Sequence, residues 1–364
     1  MTRAAAPLPG RPALGELLLE LLEMVCVTGQ EGPLADWLER RYARTEQVAR
    51  IGSSVVVGDL RSGRPRLLLV GHIDVVPPTD ADRVPSRRHD PDFGDVLVGR
   101  GASDMKAGLA VALDCFEDAG LRAGPYELVL VAYAGEEGPH EGNELAAVLD
   151  ALPELGDARL AVVLEPTDLT VQLGCLGALH AEVTFSGQAA HSARPWHGVN
   201  ALTAAGGLLT ELHERPPDEV EVDGLVYREV FTATQAATRN ARNVVPDVFT
   251  LNLNYRFAPD KTPAQAEDRL RGLVAERASV QVVDRAPAAP PARTAPAVAA
   301  FLDRVGASVE PKQAWTDVAR LAQHGVPALN YGPGLTAQAH QAGEWVPLRN
   351  LQIARDALAR FLAG

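Results

Sequence analysis

Six histidine and acidic residues stand where apolar, strand-like runs give way to glycine, proline or polar residues. His72 follows RLLLV (66–70), Glu136 and Glu137 follow ELVLVAY (127–133), and Glu165 follows LAVVL (160–164). Asp104 lies in GRGASDMKAG (99–108), and His340 lies beyond VPALNYGPG (326–334). Two histidines with this many carboxylates exceed the needs of one zinc ion. They suit two zinc ions sharing a bridging carboxylate, with one glutamate left over as a base. Taken singly, each has an ordinary explanation: a surface turn, a solvated Glu-Glu pair, a helix N-cap at Asp104. Taken together they converge, because ligands of an open α/β sheet lie beyond the carboxyl ends of its strands. Carboxylates gathered there without a counter-ion would repel and raise one another's pKa. A metal pair removes that conflict.

The chemistry then distributes roles. Asp104 is the best bridge, His72 and Glu165 hold one ion, and Glu137 and His340 hold the other. Asp74, two residues after His72, is expected to accept the second imidazole N–H and fix the tautomer. Glu136 neighbours a ligand without having to be one. It would take a proton from the attacking water and deliver it to the leaving amine.

The elements that must carry these residues alternate in the first half of the chain. Helical patterns at 12–25, 32–43 and 104–118 are interleaved with the three buried strand runs at 66–70, 127–133 and 160–164. Continuous apolar strands separated by helices predict a mostly parallel sheet covered on both faces. In the middle, HAEVTFS (180–186) and VFTLNLNYRF (248–257) alternate with period two, and helical patterns occupy 199–214 and 262–276, the latter opened by Thr262-Pro263. They predict a small α+β domain, an antiparallel sheet with two helices. The Pro/Ala stretch 286–297 leads back to a helix at 297–306, a strand at 327–331 and a closing helix at 348–362. The expected organisation is α/β: a discontinuous catalytic domain of 1–176 and 287–364, with 177–286 inserted.

Composition bounds the rest. The 364 residues suffice for two domains, and 34 basic against 47 acidic side chains give a formal charge of −13. That balance disfavours nucleic acid and anionic membrane as partners. Cys26, Cys115 and Cys175 show no CxxC spacing, which fits a reducing, cytoplasmic setting. The apolar stretch at 12–25 is interrupted by Glu16, Glu20 and Glu23 on one helical face, so it reads as an amphipathic surface helix and not as an export signal. No uncharged apolar run approaches the ~20 residues of a membrane span.

These motifs resemble the co-catalytic zinc metallopeptidase and deacylase family, which includes acetylornithine deacetylases, succinyl-diaminopimelate desuccinylases and carboxypeptidases of the G type. The matching residues are His72, Asp74, Asp104, Glu136, Glu137, Glu165 and His340, and the resemblance runs from about residue 20 onward. Within the family the resemblance is to the desuccinylase branch, carried by VPSRR (84–88), VDGLVYRE (222–229), ARNVVPD (241–247), NYRFAPD (254–260) and WTDVARL (315–321). It implies that the inserted domain is a lid and dimerisation domain. His191, in GQAAHSARPWHGVNA (187–201), would reach the active site of the partner in a homodimer and stabilise the oxyanion. It also implies substrate-binding roles for Arg194, Asn243, Arg256, Thr316 and Asp317.

Arg256 shares the polar face of its strand with Asn254, Asn252 and Thr250, and arginine forks suit carboxylates. A small polycarboxylate such as N-succinyl-diaminopimelate fits that expectation. A dipeptidase or carboxypeptidase, or an acetylornithine or acyl-lysine deacylase, uses the same chemistry and stays open. So does a metal-binding subunit without turnover. Zinc is the expected metal, with cobalt or manganese as substitutes. Two departures from the family bear on the acyl pocket: Leu335 follows Gly334 where relatives carry aspartate, and Thr238-Arg239 replace small residues.

Overall fold

Every residue of the strands Arg66–His72 and Glu127–Tyr133 is buried in the computed structural model, which describes residues 13–364. Successive side chains of a strand point to opposite faces, so complete burial requires cover on both. These strands lie in an eight-stranded sheet ordered Val48–Ile51, Ser54–Val57, Glu127–Tyr133, Arg66–His72, Leu160–Val163, Ala328–Asn330, Val171–Leu173 and Val309–Pro311. Its centre is parallel: Arg66–His72 pairs with Glu127–Tyr133 and Leu160–Val163, which pairs with Ala328–Asn330. Antiparallel strands flank that centre on both sides. The hairpin Val48–Ile51 with Ser54–Val57 is too short for the sequence pattern to reveal, as are the strands Val171–Leu173 and Val309–Pro311.

The chain divides into two compact units. The first is built from the chain up to Leu173, Ala292–Glu310 and Thr316–Gly364, and the second from Gly174–Pro291 and Pro311–Trp315. The five-residue return at 311–315 lies beyond the end of the expected inserted segment. In the first unit the helix Ala107–Glu117 is buried along its whole length. Its start is pressed against a strand end, since a Cβ on Gly108 would come within 1.9 Å of the Leu164 carbonyl oxygen. The first helix is Leu14–Glu23, with Leu17, Leu18, Leu21 and Leu22 buried and Glu16, Glu20 and Glu23 exposed. Pro12, part of the expected helix, lies outside the described residues. Among the described residues no helix is long and apolar enough to cross a membrane.

A three-stranded sheet, Trp345–Pro347, Gly94–Val98 and Ser86–Asp90, also belongs to this unit. Trp345 pairs with Val98, so the segment after His340 runs beside the segment before Asp104.

The second unit is built on a five-stranded antiparallel sheet, ordered Asp218–Val222, Leu225–Ala237, Val248–Phe257, Gly177–Ser186 and Ser279–Ala286. Leu179, Val183, Leu251, Leu253 and Tyr255 face a core completed by Ala201 and Leu208 from one helical segment and Ala266 and Leu270 from another. The first segment, expected as one helix over 199–214, is broken at Ala205 into Ala201–Ala204 and Gly206–Glu214. Gly206 and Gly207 weaken helical continuity there. The helix Pro263–Val274 opens with a capping box between Thr262 and Gln265.

Candidate metal centre

His72 is the last residue of its strand, buried and paired across to Tyr133. Its Nδ1 lies 3.0 Å from the main-chain oxygen of Asp74. A carbonyl can only accept, so Nδ1 carries the hydrogen and Nε2 is left as the ligand atom. That Nε2 stands 3.2 Å from Asp104 Oδ1 and 3.8 Å from Glu165 Oε1. The other oxygen of Asp104 faces the second histidine: Oδ2 is 3.7 Å from His340 Nε2, which lies 2.9 Å from Glu137 Oε2.

The donors therefore form two sets that meet on Asp104: His72, Asp104 and Glu165, and Asp104, Glu137 and His340. The donor atoms of each set lie within 4.8 Å of one another. A third combination, His72 with Glu136 and Glu137, meets the same limit. It draws on the single ring nitrogen of His72 that already faces Asp104 and Glu165, and it leaves Asp104 out. Three carboxylates against two imidazoles make a negative donor set of nitrogen and oxygen atoms, which fits divalent cations. The two histidines register that charge. Burial opposes protonation of His72, but Asp104, then Glu136, Glu165 and Asp74, push it well above the ordinary imidazole range. The Glu137 contact also raises half-exposed His340, against the opposing effect of burial.

Two expectations are corrected here. The helix read from residue 104 begins at Ala107, and Asp104 has extended backbone angles (φ −118°, ψ 96°) in the turn before it. Its main-chain N–H goes to Glu344 Oε1 at 2.8 Å. Asp74 fixes the His72 tautomer through its backbone and not its side chain, whose Oδ1 is 3.7 Å from Nδ1. The Asp74 carboxylate is occupied by other donors: Thr28 Oγ1 at 2.9 Å, and the N–H groups of Glu136 and Glu137 at 3.1 Å each. One carboxylate thus grips both peptides of the glutamate pair.

Burial pushes Glu136 well above the usual carboxylate range; His72 pulls it down, while Glu165, Asp317 and Glu137 push it up again. Thr316 and Asp317 are in the same unit but fully enclosed. Asp317 pairs with Arg320 at 2.9 Å and accepts the Asn143 amide at 2.8 Å, and Arg320 Nη2 lies 3.0 Å from His140 Nδ1. This network braces the loop that carries Glu136 and Glu137. Glu344, Arg100 and Thr28 were not found from sequence, because an acid in AGEW or a threonine in VTGQ has the spacing of any polar loop residue. Leu335, the departure after Gly334, gives its N–H to Ser103 Oγ at 3.0 Å.

The remaining expected site residues belong to the second unit. His191 lies in a two-stranded ribbon, Ala190–His191 against Val244–Val245. Asn243 O accepts the Ser192 N–H at 2.9 Å, and His191 O accepts that of Arg194 at 2.8 Å, so the exposed residues His191, Arg194 and Asn243 lie at or beside one ribbon. His191 Nδ1 accepts the N–H of Ala193 at 3.1 Å, which puts the neutral ring's hydrogen on Nε2. Arg256 is at the far end of Val248–Phe257, on the polar face, with Nε donating to Asn254 Oδ1 at 3.1 Å.

A hydrolase that acts on amide bonds with the help of metal ions is the class this arrangement defines. The comparisons supply the family. The sequence pattern of peptidase family M20/M25/M40 matches residues 68–364, and the chain belongs to that family. It is 37% identical, over 96% of its length and 98% of the relative's, to a Mycobacterium tuberculosis protein named "Putative succinyl-diaminopimelate desuccinylase DapE". It is 33% identical, over 98% of both chains, to a succinyl-diaminopimelate desuccinylase of Corynebacterium glutamicum. A tripeptidase structure from Staphylococcus aureus shares the fold, with a TM-score of 0.77 at 20% identity, covering 96% of this chain and 97% of that one.

Proposed function

We propose that this chain is a two-metal amidohydrolase that removes the succinyl group from N-succinyl-LL-diaminopimelate. The observation that carries the reading is the pair of donor sets meeting on Asp104, with Glu136 adjacent and outside both. His72 and Glu165 would hold one divalent ion and Glu137 and His340 the other, with Asp104 available to both. Zinc suits this mixture of imidazole and carboxylate, with cobalt or manganese as substitutes. When bound, such ions supply Lewis acidity toward the amide carbonyl and toward water. Glu136 takes a proton from the attacking water onto its carboxylate and returns it to the amine nitrogen as the C–N bond breaks. The charge that develops on the carbonyl oxygen is met by an Nε2–H donor, the role assigned to His191.

His191 serves a neighbouring subunit in this reading, and the chain works as a homodimer. The second unit supports it. Arg256 and the ribbon of His191 and Asn243 lie at opposite ends of the strand Val248–Phe257. From Val248 to Arg256 the strand spans about 27 Å at 3.4 Å per residue. One small substrate cannot touch both groups of a single chain, which supports a reading in which two copies contribute.

The names of the two relatives support the succinylated substrate. So does Arg256, whose guanidinium suits a distal carboxylate. Replacing it with alanine is expected to raise KM with little change in kcat. Losing one charge-assisted contact worth roughly 1.5–3 kcal/mol lowers kcat/KM about 10–100-fold. Steady-state kinetics check this, and an unchanged KM removes Arg256 from the substrate site. The reading as a whole is tested by a substrate panel with metal content measured on the same sample. N-succinyl-LL-diaminopimelate is expected to outpace N-acetylornithine, an acyl-lysine and a set of dipeptides. Strong dipeptide turnover with none of the succinylated compound would make the chain a peptidase instead.

A further inference from the structure

Glu344 belongs to neither donor set, yet it is completely buried and both its carboxylate oxygens are engaged. Oε1 accepts the N–H groups of Ser103 at 2.7 Å and Asp104 at 2.8 Å. Oε2 accepts the N–H of Gly101 at 2.8 Å and Arg100 Nη1 at 3.1 Å. Its own main-chain oxygen takes the N–H of Gly99 at 2.9 Å. Arg100 is held from behind by Asp82 Oδ2 at 3.0 Å, and the same oxygen takes the N–H of Gly343 at 3.0 Å. Ser103 Oγ adds a bond to the Trp345 carbonyl at 2.8 Å.

A buried carboxylate is costly unless donors surround it. Here the donors are the backbone of the turn that presents Asp104. That turn precedes the helix Ala107–Glu117, so no helical ladder fixes its N–H groups. The carboxylate that fixes them comes from the segment that also carries His340. We propose that Glu344 is a positioning residue for the two-metal centre: by gripping the Asp104 turn from the His340 segment, it sets the spacing of these two ligands before ions bind. The inference rests on reading Asp104 as the shared ligand.

The test is a zinc titration of the full chain against a chromophoric chelator, with thermal unfolding of the metal-free protein in parallel. Glu344→Gln puts an amide NH2 against N–H donors and is expected to weaken zinc binding about 10–100-fold, the usual effect of disturbing groups that orient ligands. Glu344→Asp, which keeps the charge but cannot span the turn, falls between. Glu117→Gln is the control, since Glu117 is a buried carboxylate held by Arg41 and Tyr42. It is expected to lower the unfolding temperature and leave zinc affinity unchanged. Wild-type affinity in Glu344→Gln, with affinity lost in Asp104→Asn, overturns this inference and leaves the two-metal reading standing. An equal loss in Glu117→Gln also overturns it. Should Glu344→Gln not fold, wild-type affinity in Glu344→Asp decides against it. Unchanged affinity in Asp104→Asn removes both readings together.

Discussion

Glu136→Gln is expected to lower kcat on the order of 10²–10⁴-fold while the protein keeps its full complement of divalent metal. The substitution is isosteric, and what holds the residue is its main chain. The N–H of Glu136 is bound to Asp74 Oδ1 whatever the side chain, and the neighbouring peptide to Oδ2. Glu137 therefore stays in register with His340, 2.9 Å away, and the donor sets persist. The amide, unlike the carboxylate, cannot accept the proton of the attacking water or pass one to the amine. Metal analysis and single-turnover kinetics on one preparation separate binding from chemistry. A metal-replete variant with near wild-type turnover would show that another group is the base.

The second large effect is complementation between two inactive variants. His191→Ala alone is expected to lose about 10²–10³-fold in kcat, the loss typical of an oxyanion donor. Paired with Glu136→Gln in one dimer, it should regain activity. In a two-fold dimer where each histidine serves the other subunit, the site with intact Glu136 receives the intact His191, so a purified mixed dimer should reach about half of wild-type activity. If each histidine serves its own subunit, the mixed dimer also keeps an impaired base in one site and an impaired donor in the other. Differential tags on co-expressed chains isolate the mixed species. A mixed dimer as inactive as its parents refutes the crossed arrangement, and so does a chain that sediments as a monomer.

The candidate ligands could be picked out because strand ends are legible. Buried parallel strands read as unbroken apolar runs, and His72, Glu137 and Glu165 follow theirs within a few residues. The alternation of VFTLNLNYRF likewise revealed which face of its strand bears Arg256. What escaped was whatever depends on three-dimensional return. The short strands Ser54–Val57 and Trp345–Pro347 carry too few residues to show a period. Glu344 acquires meaning only through backbone N–H groups that lie some 240 residues earlier in the chain. Asp74 was recognised, but its partner was misjudged. Pattern places a side chain near a ligand; it cannot say that the carbonyl two residues on reaches the imidazole first, while peptide donors claim the carboxylate.

The first unit is stitched from three stretches of chain, and this fixes an order of arrival during synthesis. The parallel centre of the sheet lacks Ala328–Asn330 until the ribosome has made the entire second unit, which has a core of its own. His340 and Glu344 emerge later still. While the inserted segment is being made, a nascent chain contains His72, Asp104, Glu137 and Glu165 of the two donor sets but not His340. The donor sets can be completed only after Ala328–Asn330 and the segment leading to Trp345–Pro347 have been made.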